Sequence, residues 1–195
     1  MVEMIADAIV DQMEQEEILC SEMREHYIYA LITIIEKWIT ILSILFISIL
    51  LKQAVPIILF LISFLSLRKR TGGYHANSFL QCYIGTLIIS IGIIYMCPIL
   101  VNYMGTVYIL LVCSIVIISC IGTVNHPNLA LNCTELHESK KAARYLLILD
   151  CLVLATLIAF DICKLWVCYI SFSIILCAFL LMLAKIFKQE VKKQK

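Results

Sequence analysis

The sequence between residues 165 and 187 reads LWVCYISFSIILCAFLLMLAKIF, and Lys185 is its one charged residue. As an α-helix this stretch would be about 34 Å long, which exceeds the roughly 30 Å hydrocarbon core of a bilayer. A continuous apolar run of this length is typical of a transmembrane helix. The stretch therefore predicts that the C-terminal part of the chain crosses a membrane.

Similar apolar runs occur along the rest of the chain: Trp38–Leu51, Ala54–Leu67, Ile84–Val101, Thr106–Val124 and Tyr145–Phe160. The chain is 63% hydrophobic with a mean hydropathy of +1.00, whereas a soluble domain is about 45–50% apolar. The runs are continuous rather than alternating, which favours helices over a barrel. We predict an all-α integral membrane protein with about six transmembrane or partly re-entrant helices, forming a single domain over residues 1–195.

Two parts of this prediction concern helices that differ from a plain membrane span. Residues 1–26 place Met4, Ile5, Ala8 and Ile9 at helical spacing among acidic residues, which predicts an amphipathic helix lying on the membrane surface. Ala54–Leu67 would be only about 21 Å long as a helix. We therefore expect it to form, with the preceding run, a hairpin that barely crosses the bilayer or re-enters it.

The basic residues predict the orientation of the chain. With six crossings and both ends in the cytoplasm, 12 of the 15 Lys and Arg residues fall on the cytoplasmic side. Lys52 and Lys164 then face outward, and Lys37 stays ambiguous. Because cytoplasmic loops of membrane proteins carry an excess of Lys and Arg, we expect cytoplasmic termini and a cytoplasmic loop over residues 125–144. A net charge of +1 gives no reason to expect nucleic acid as a partner.

One polar segment carries residues suited to catalysis. Residues 68–82 read RKRTGGYHANSFLQC, so that a basic triplet, a Gly pair, His75 and Cys82 follow one another at a membrane boundary. A cysteine nucleophile needs an imidazole that accepts its proton. On one straight helix His75 and Cys82 would lie about 10.5 Å apart along the axis, which is too far for a hydrogen bond of roughly 3 Å.

The local sequence indicates a better arrangement. Ser78 and Gln81 have the spacing of a capping box, which predicts that a helix begins at Ser78. Gly72-Gly73 permits a tight turn upstream. Cys82 would then lie in the opening turns of the helix, where the helix dipole favours a thiolate, and His75 would approach it from the entering loop.

This segment resembles the accessory gene regulator B (AgrB) family of bacterial membrane peptidases that process quorum-sensing propeptides. The family pattern is a basic cluster, a Gly pair or similar, an aromatic residue, His-Ala, and a Cys seven residues after the His. Arg68-Lys69-Arg70, Gly72-Gly73-Tyr74-His75-Ala76 and Cys82 match it in order and spacing. Asn125-His126-Pro127-Asn128-Leu129 is similar to the loop between the fourth and fifth apolar segments of the family, although Leu129-Ala130 stand where Lys-Pro is common.

The resemblance implies a thiol protease of the bacterial cell membrane with His75 as general base and Cys82 as nucleophile. Its substrate would be an AgrD-type propeptide, whose C-terminal tail is cleaved through a thioester acyl-enzyme before a Cys or Ser of the substrate closes a thiolactone or lactone ring. Arg68, Lys69 and Arg70, with Gly72 and Gly73, are the expected substrate-binding residues. Such peptidases are often oligomeric, and small residues at Gly85, Gly92 and Cys97 suggest a homodimer.

Other interpretations remain open at the level of sequence. A non-enzymatic membrane adaptor or a small transporter is the rival function, and it would not depend on Cys82. His126, Cys133, Glu135 and His137 do not have zinc-ligand spacing, so neither a metal nor another cofactor is predicted. Asp150 lies inside an apolar run, where an ionisable residue is functional by default unless it reaches the interface or pairs with a neighbour.

Overall fold

The computed structural model describes residues 2–16, 23–74, 78–125 and 132–187. Its helices are α1 (Val2–Gln15), α2 (Arg24–Leu50), α3 (Ala54–Thr71), α4 (Phe79–Leu100), α5 (Met104–Ile121), α6 (Cys133–Ala159) and α7 (Lys164–Ile186). A short 3₁₀ turn, Val101–Tyr103, joins α4 to α5. The predicted all-α membrane fold is confirmed.

Among the described residues, four helical segments are long and apolar enough to cross a membrane: Arg24–Leu50, Phe79–Ile121, Cys133–Ala159 and Lys164–Ile186. The second segment contains both α4 and α5. The apolar part of α3 is short, and its last turn carries three basic residues. Packing explains how so short a helix is accommodated, because α3 lies against α2, α6 and α7. Protein rather than lipid surrounds much of it, so its length need not match the bilayer thickness.

The helices of the bundle alternate in direction. The Cys177 thiol of α7 contacts the Phe64 carbonyl of α3, and the Tyr74 amide after α3 donates to the Leu180 carbonyl farther along α7. These contacts come in the same order along both segments, so α3 and α7 run parallel. The Thr71 carbonyl accepts a hydrogen bond from Val124 just after α5, so α5 ends beside α3. Helices α3, α5 and α7 all end on the same side of the bundle, which we call the basic end. It carries the cations Arg68, Lys69, Arg70 and Lys185.

Helix α6 runs in the opposite direction along α3. Ser139, near its start, donates to the Arg70 carbonyl, and Asp150, farther along, accepts from the Ser63 hydroxyl at 2.8 Å. Ser63 also exchanges a hydrogen bond with Ser173 of α7. Asp150 therefore has a hydrogen-bond partner within the bundle, and this network ties α3, α6 and α7 together at a depth where unpaired polar groups are costly.

At the opposite end of the bundle, α4 is docked onto α7. Pro98 has no N–H, so the Ile94 carbonyl loses its usual helical donor, and the Tyr169 hydroxyl donates to that carbonyl at 3.5 Å. The neighbouring Cys168 thiol contacts the Cys97 carbonyl at 3.7 Å, and both cysteines are fully buried. Cys97 therefore faces the core, which corrects its expected place in a dimer interface.

Two predicted segments have different bounds in the structure. The expected helix over residues 1–26 ends at Gln15, and α2 begins at Arg24. Arg24 pairs with Asp7, Asp11 and Glu14, so that α1 packs back along the first turns of α2. The expected loop over residues 125–144 becomes helical at Cys133, because the Asn132–Glu135 capping box starts α6 there.

Candidate active site

Residues 68–82 connect the end of α3 to the start of α4 at the basic end of the bundle. His75, the predicted general base, lies outside the described residues, as do Ala76 and Asn77. The described part of the candidate site therefore consists of residues 68–74 and 78–82, which flank these three residues.

A tight turn ends α3. Gly72 and Gly73 have φ angles of +66° and +127°, which side chains with a Cβ rarely adopt. A Cβ added to Gly72 would lie 2.8 Å from the carbonyl oxygen of Val124. Both glycines are buried. In this conformation they form the turn, as their sequence predicted, and offer little surface to a substrate.

The last carbonyl groups of α3 are held by residues on either side of the α5–α6 connection. The Arg70 carbonyl accepts from the hydroxyls of Thr123 at 2.9 Å and Ser139 at 3.0 Å. The Thr71 carbonyl accepts from the Val124 amide at 3.0 Å. Because a helix leaves its last carbonyls without helical donors, these contacts fix the direction in which the chain leaves α3. Sequence reasoning did not identify them.

Tyr74, the residue before His75, is anchored to α7. Its amide donates to the Leu180 carbonyl at 3.0 Å. Its ring lies 5.6 Å from the Phe187 ring, measured between centroids, and it packs against the buried cluster of Val124, Leu181 and Ala184. The backbone and ring of Tyr74, the residue before His75, are therefore held in place against α7.

The three residues of the basic triplet have different surroundings. Lys69 and Arg70 are exposed. Arg68 is only partly exposed, and its guanidinium donates to the carbonyls of Gly72 and Tyr74. Nothing in the sequence distinguished the three cations. In the structure Arg68 is bound to the backbone of its own turn, whereas Lys69 and Arg70 are exposed.

Cys82 lies in the opening turn of α4 and is exposed. Helix α4 begins where the sequence predicted, because the Ser78 side chain accepts from the Gln81 amide at 3.4 Å and Ser78 itself has extended backbone angles. The Cys82 amide donates to the Ser78 carbonyl at 3.2 Å. The next residue, Tyr83, shares a hydrogen bond of 2.9 Å with Ser43 of α2. The start of α4 is thus fixed to the bundle while its thiol remains accessible.

A second exposed thiol also opens a helix. Cys133 is the first residue of α6, after the Asn132 cap, and His137 follows four residues later on the same helix. Glu135 is engaged in capping, since its carboxylate accepts from the Asn132 amide at 2.8 Å. No group of metal-ligating side chains occurs among the residues that the structure describes. Cys133 therefore provides a natural comparison for Cys82, because exposure and a helix N-terminus are common to both.

The sequence matches a protein-family model over nearly its whole length. The model described as Accessory gene regulator B matches residues 2–188. The chain belongs to the AgrB family. Members of the AgrB family are involved in processing autoinducer propeptides in quorum sensing, together with an AgrD propeptide and in association with the membrane. No curated protein and no solved structure matched this chain.

Proposed function

We propose that the chain is a membrane cysteine endopeptidase that removes the C-terminal tail of an AgrD-type propeptide and promotes cyclisation of the remainder. Membership of the AgrB family and the position of Cys82 support this proposal. The thiol is exposed in the opening turn of α4, behind a Ser78 cap and seven residues after His75. A helix N-terminus favours the thiolate, which is the nucleophilic form of cysteine.

The first half of the proposed reaction cleaves the propeptide. The His75 imidazole takes the proton from the Cys82 thiol, and the thiolate attacks the carbonyl carbon of the scissile peptide bond. The C–N bond breaks, and the imidazolium returns the proton to the departing amine. The tail leaves with a free N-terminus, and the rest of the substrate stays on Cys82 as a thioester.

The second half closes the ring. A Cys thiol or Ser hydroxyl within the bound substrate attacks the thioester carbonyl, and the Cys82 sulfur departs and recovers its proton. The thioester keeps the acyl group activated, since it is not hydrolysed to a carboxylate, so that ring closure needs no ATP. A site at the membrane boundary limits competition from water for the acyl group. The product is a thiolactone or a lactone, depending on the internal nucleophile.

The exposed cations of the basic triplet are suited to an acidic tail. Lys69 and Arg70 lie at the basic end of the bundle, which we expect to face the cytoplasm because of the distribution of Lys and Arg. Replacing Arg70 by Ala should weaken processing and reduce its dependence on salt, because exposed ion pairs are screened. Substituting the whole triplet should have a larger effect. An unchanged rate in correctly inserted protein would reduce the triplet to a topology signal.

The decisive experiment supplies a synthetic propeptide to the full chain in lipid nanodiscs. We expect a covalent adduct on Cys82 by mass spectrometry, which hydroxylamine releases as it does other thioesters. Cys82→Ala should abolish cleavage, and Cys82→Ser should nearly do so, because a hydroxyl is much harder to deprotonate than a thiol. His75→Ala should abolish cleavage without changing membrane insertion.

Cys133→Ala is the matched control for the nucleophile. Cys133 is exposed and opens a helix, as Cys82 does. His126 also precedes it by seven residues, but Thr123-Val124-Asn125 stand before that histidine in place of Gly-Gly-Tyr. The control should cleave at the wild-type rate. Efficient cleavage by Cys82→Ala would refute the peptidase mechanism and leave the rival interpretation, a non-enzymatic adaptor or small transporter, in place.

A further inference from the structure

The guanidinium of Arg68 folds over the turn that ends its own helix. One terminal nitrogen donates to the Gly72 carbonyl, and the other donates to the Tyr74 carbonyl. Arg68 is thus the member of the basic triplet that is turned into the protein, whereas Lys69 and Arg70 are exposed. Its donors point at the backbone of the catalytic segment rather than outward.

We propose that Arg68 is a positioning residue, which holds residues 72–74 in the conformation that presents His75 to Cys82, and that it does not bind the substrate tail. This inference rests on the proposed function for the roles of His75 and Cys82. It divides the basic triplet into one residue that organises the site and two that are available to substrate.

The chemistry of the turn explains why an arginine is suited to this position. The chain leaves the helical conformation at Gly72 and Gly73, so the carbonyls of Gly72 and Tyr74 have no helical donors. The planar guanidinium carries two terminal nitrogens in a fixed fork and can satisfy both carbonyls together. A lysine ammonium is a compact donor on a flexible chain and cannot reproduce that geometry.

Gly73 is part of the same device. A Cβ added at Gly73 would collide with the Arg68 guanidinium, and it would lie 3.2 Å from the Leu180 carbonyl oxygen. Because Gly73 has no side chain, the Arg68 guanidinium can occupy that space and reach the carbonyls of Gly72 and Tyr74. The adjacent Tyr74 amide donates to that same Leu180 carbonyl. Arg68, Gly73 and the anchor on α7 consequently act on one short stretch of backbone.

The two possible roles of Arg68 predict different kinetics. A cation that binds the tail should raise KM and act less strongly at high salt. A positioning residue should lower kcat at saturating substrate with little change in KM, because it affects the arrangement of the catalytic groups. It should also loosen the turn when no substrate is present, a property that does not depend on catalysis.

The test compares Arg68→Lys with Arg70→Lys in the full chain in nanodiscs. Both variants keep the positive charge, and both alter the same helical turn. For Arg68→Lys we expect at least tenfold lower kcat, KM within twofold of wild type, and at least tenfold faster hydrogen exchange at the Tyr74 amide. For Arg70→Lys we expect wild-type exchange at Tyr74, and any change in processing should fall on KM rather than kcat, because Arg70 is available to the substrate tail. Arg68→Gln, which removes the charge, should resemble Arg68→Lys in exchange.

The outcomes separate this inference from the proposed function. Wild-type exchange at Tyr74 in both Arg68 variants would overturn the positioning role, as would a raised KM with unchanged kcat. Faster exchange in a protein whose Cys82→Ala form still cleaves substrate would retain the positioning role for the turn and refute the peptidase mechanism. Helical circular dichroism and the size of the purified particle establish that each variant has folded.

Discussion

Replacing Gly72 by Ala tests the turn on which the candidate site depends. Gly72 has φ +66° and ψ −142°, a combination that residues with a Cβ adopt only under strain. The new Cβ would also lie 2.8 Å from the Val124 carbonyl oxygen. Val124 cannot retreat freely, since its amide is bound to the Thr71 carbonyl at 3.0 Å.

The structure allows the size of this effect to be worked out. A strained backbone conformation costs about 1–3 kcal/mol, and loss of the hydrogen bond between Val124 and Thr71 adds about 1 kcal/mol. The local opening free energy should therefore fall by about 2–4 kcal/mol in total. At about 1.4 kcal/mol for each factor of ten, hydrogen exchange at the Val124 amide should accelerate by about 30-fold to about 700-fold.

Hydrogen-exchange mass spectrometry of the chain in nanodiscs measures this effect on the peptide that contains Val124. Gly105→Ala is the matched control, because Gly105 lies in α5 and a Cβ there would have no atom within 4 Å. That substitution should leave exchange at Val124 unchanged. If Gly72→Ala also exchanged at the wild-type rate, the argument that strain and close contact require glycine at this position would be refuted.

Three further predictions concern the start of α4, the topology and the assembly. Ser78→Ala should cost about 1 kcal/mol of local helix stability, seen as about fivefold faster exchange at the Gln81 amide and a partial loss of cleavage rate; unchanged exchange would exclude a capping role. In a variant whose one cysteine is Cys82, an impermeant thiol reagent added outside the cell should not label it, and strong labelling would invert the predicted orientation. Gly92→Leu should reduce the dimer fraction measured by particle mass in nanodiscs, since α4 is the expected interface and a Cβ at Gly92 has no atom within 4 Å apart from its own stretch of helix. A concentration-independent monomer for the wild-type chain would contradict the homodimer itself.

Local sequence was sufficient to predict the apolar helices, the turn at Gly72-Gly73 and the start of α4. The apolar runs predicted membrane helices because hydrophobic transfer is a property of each segment by itself. Ser78 and Gln81 predicted the start of α4 because a cap involves only residues three apart. Gly72-Gly73 predicted the turn for the same reason. The helix ends at Gln15, Arg24 and Cys133, which the sequence did not predict, lie where polar and charged residues can continue a helix beyond the bilayer or form a loop.

The sequence by itself therefore determined that this protein is a helical membrane protein in which a cysteine follows a histidine by seven residues, after a basic triplet and a Gly pair. Tertiary structure decided how α3, a short helix, is accommodated in the bundle. It also decided which way Arg68 turns and which groups hold the end of α3. Thr123 and Ser139, which bind the Arg70 carbonyl, lie 53 and 69 residues away along the chain. Such partners are decided by how α3, α5, α6 and α7 pack, because a carbonyl released at a helix end accepts from whichever donor the neighbouring helices bring within about 3 Å.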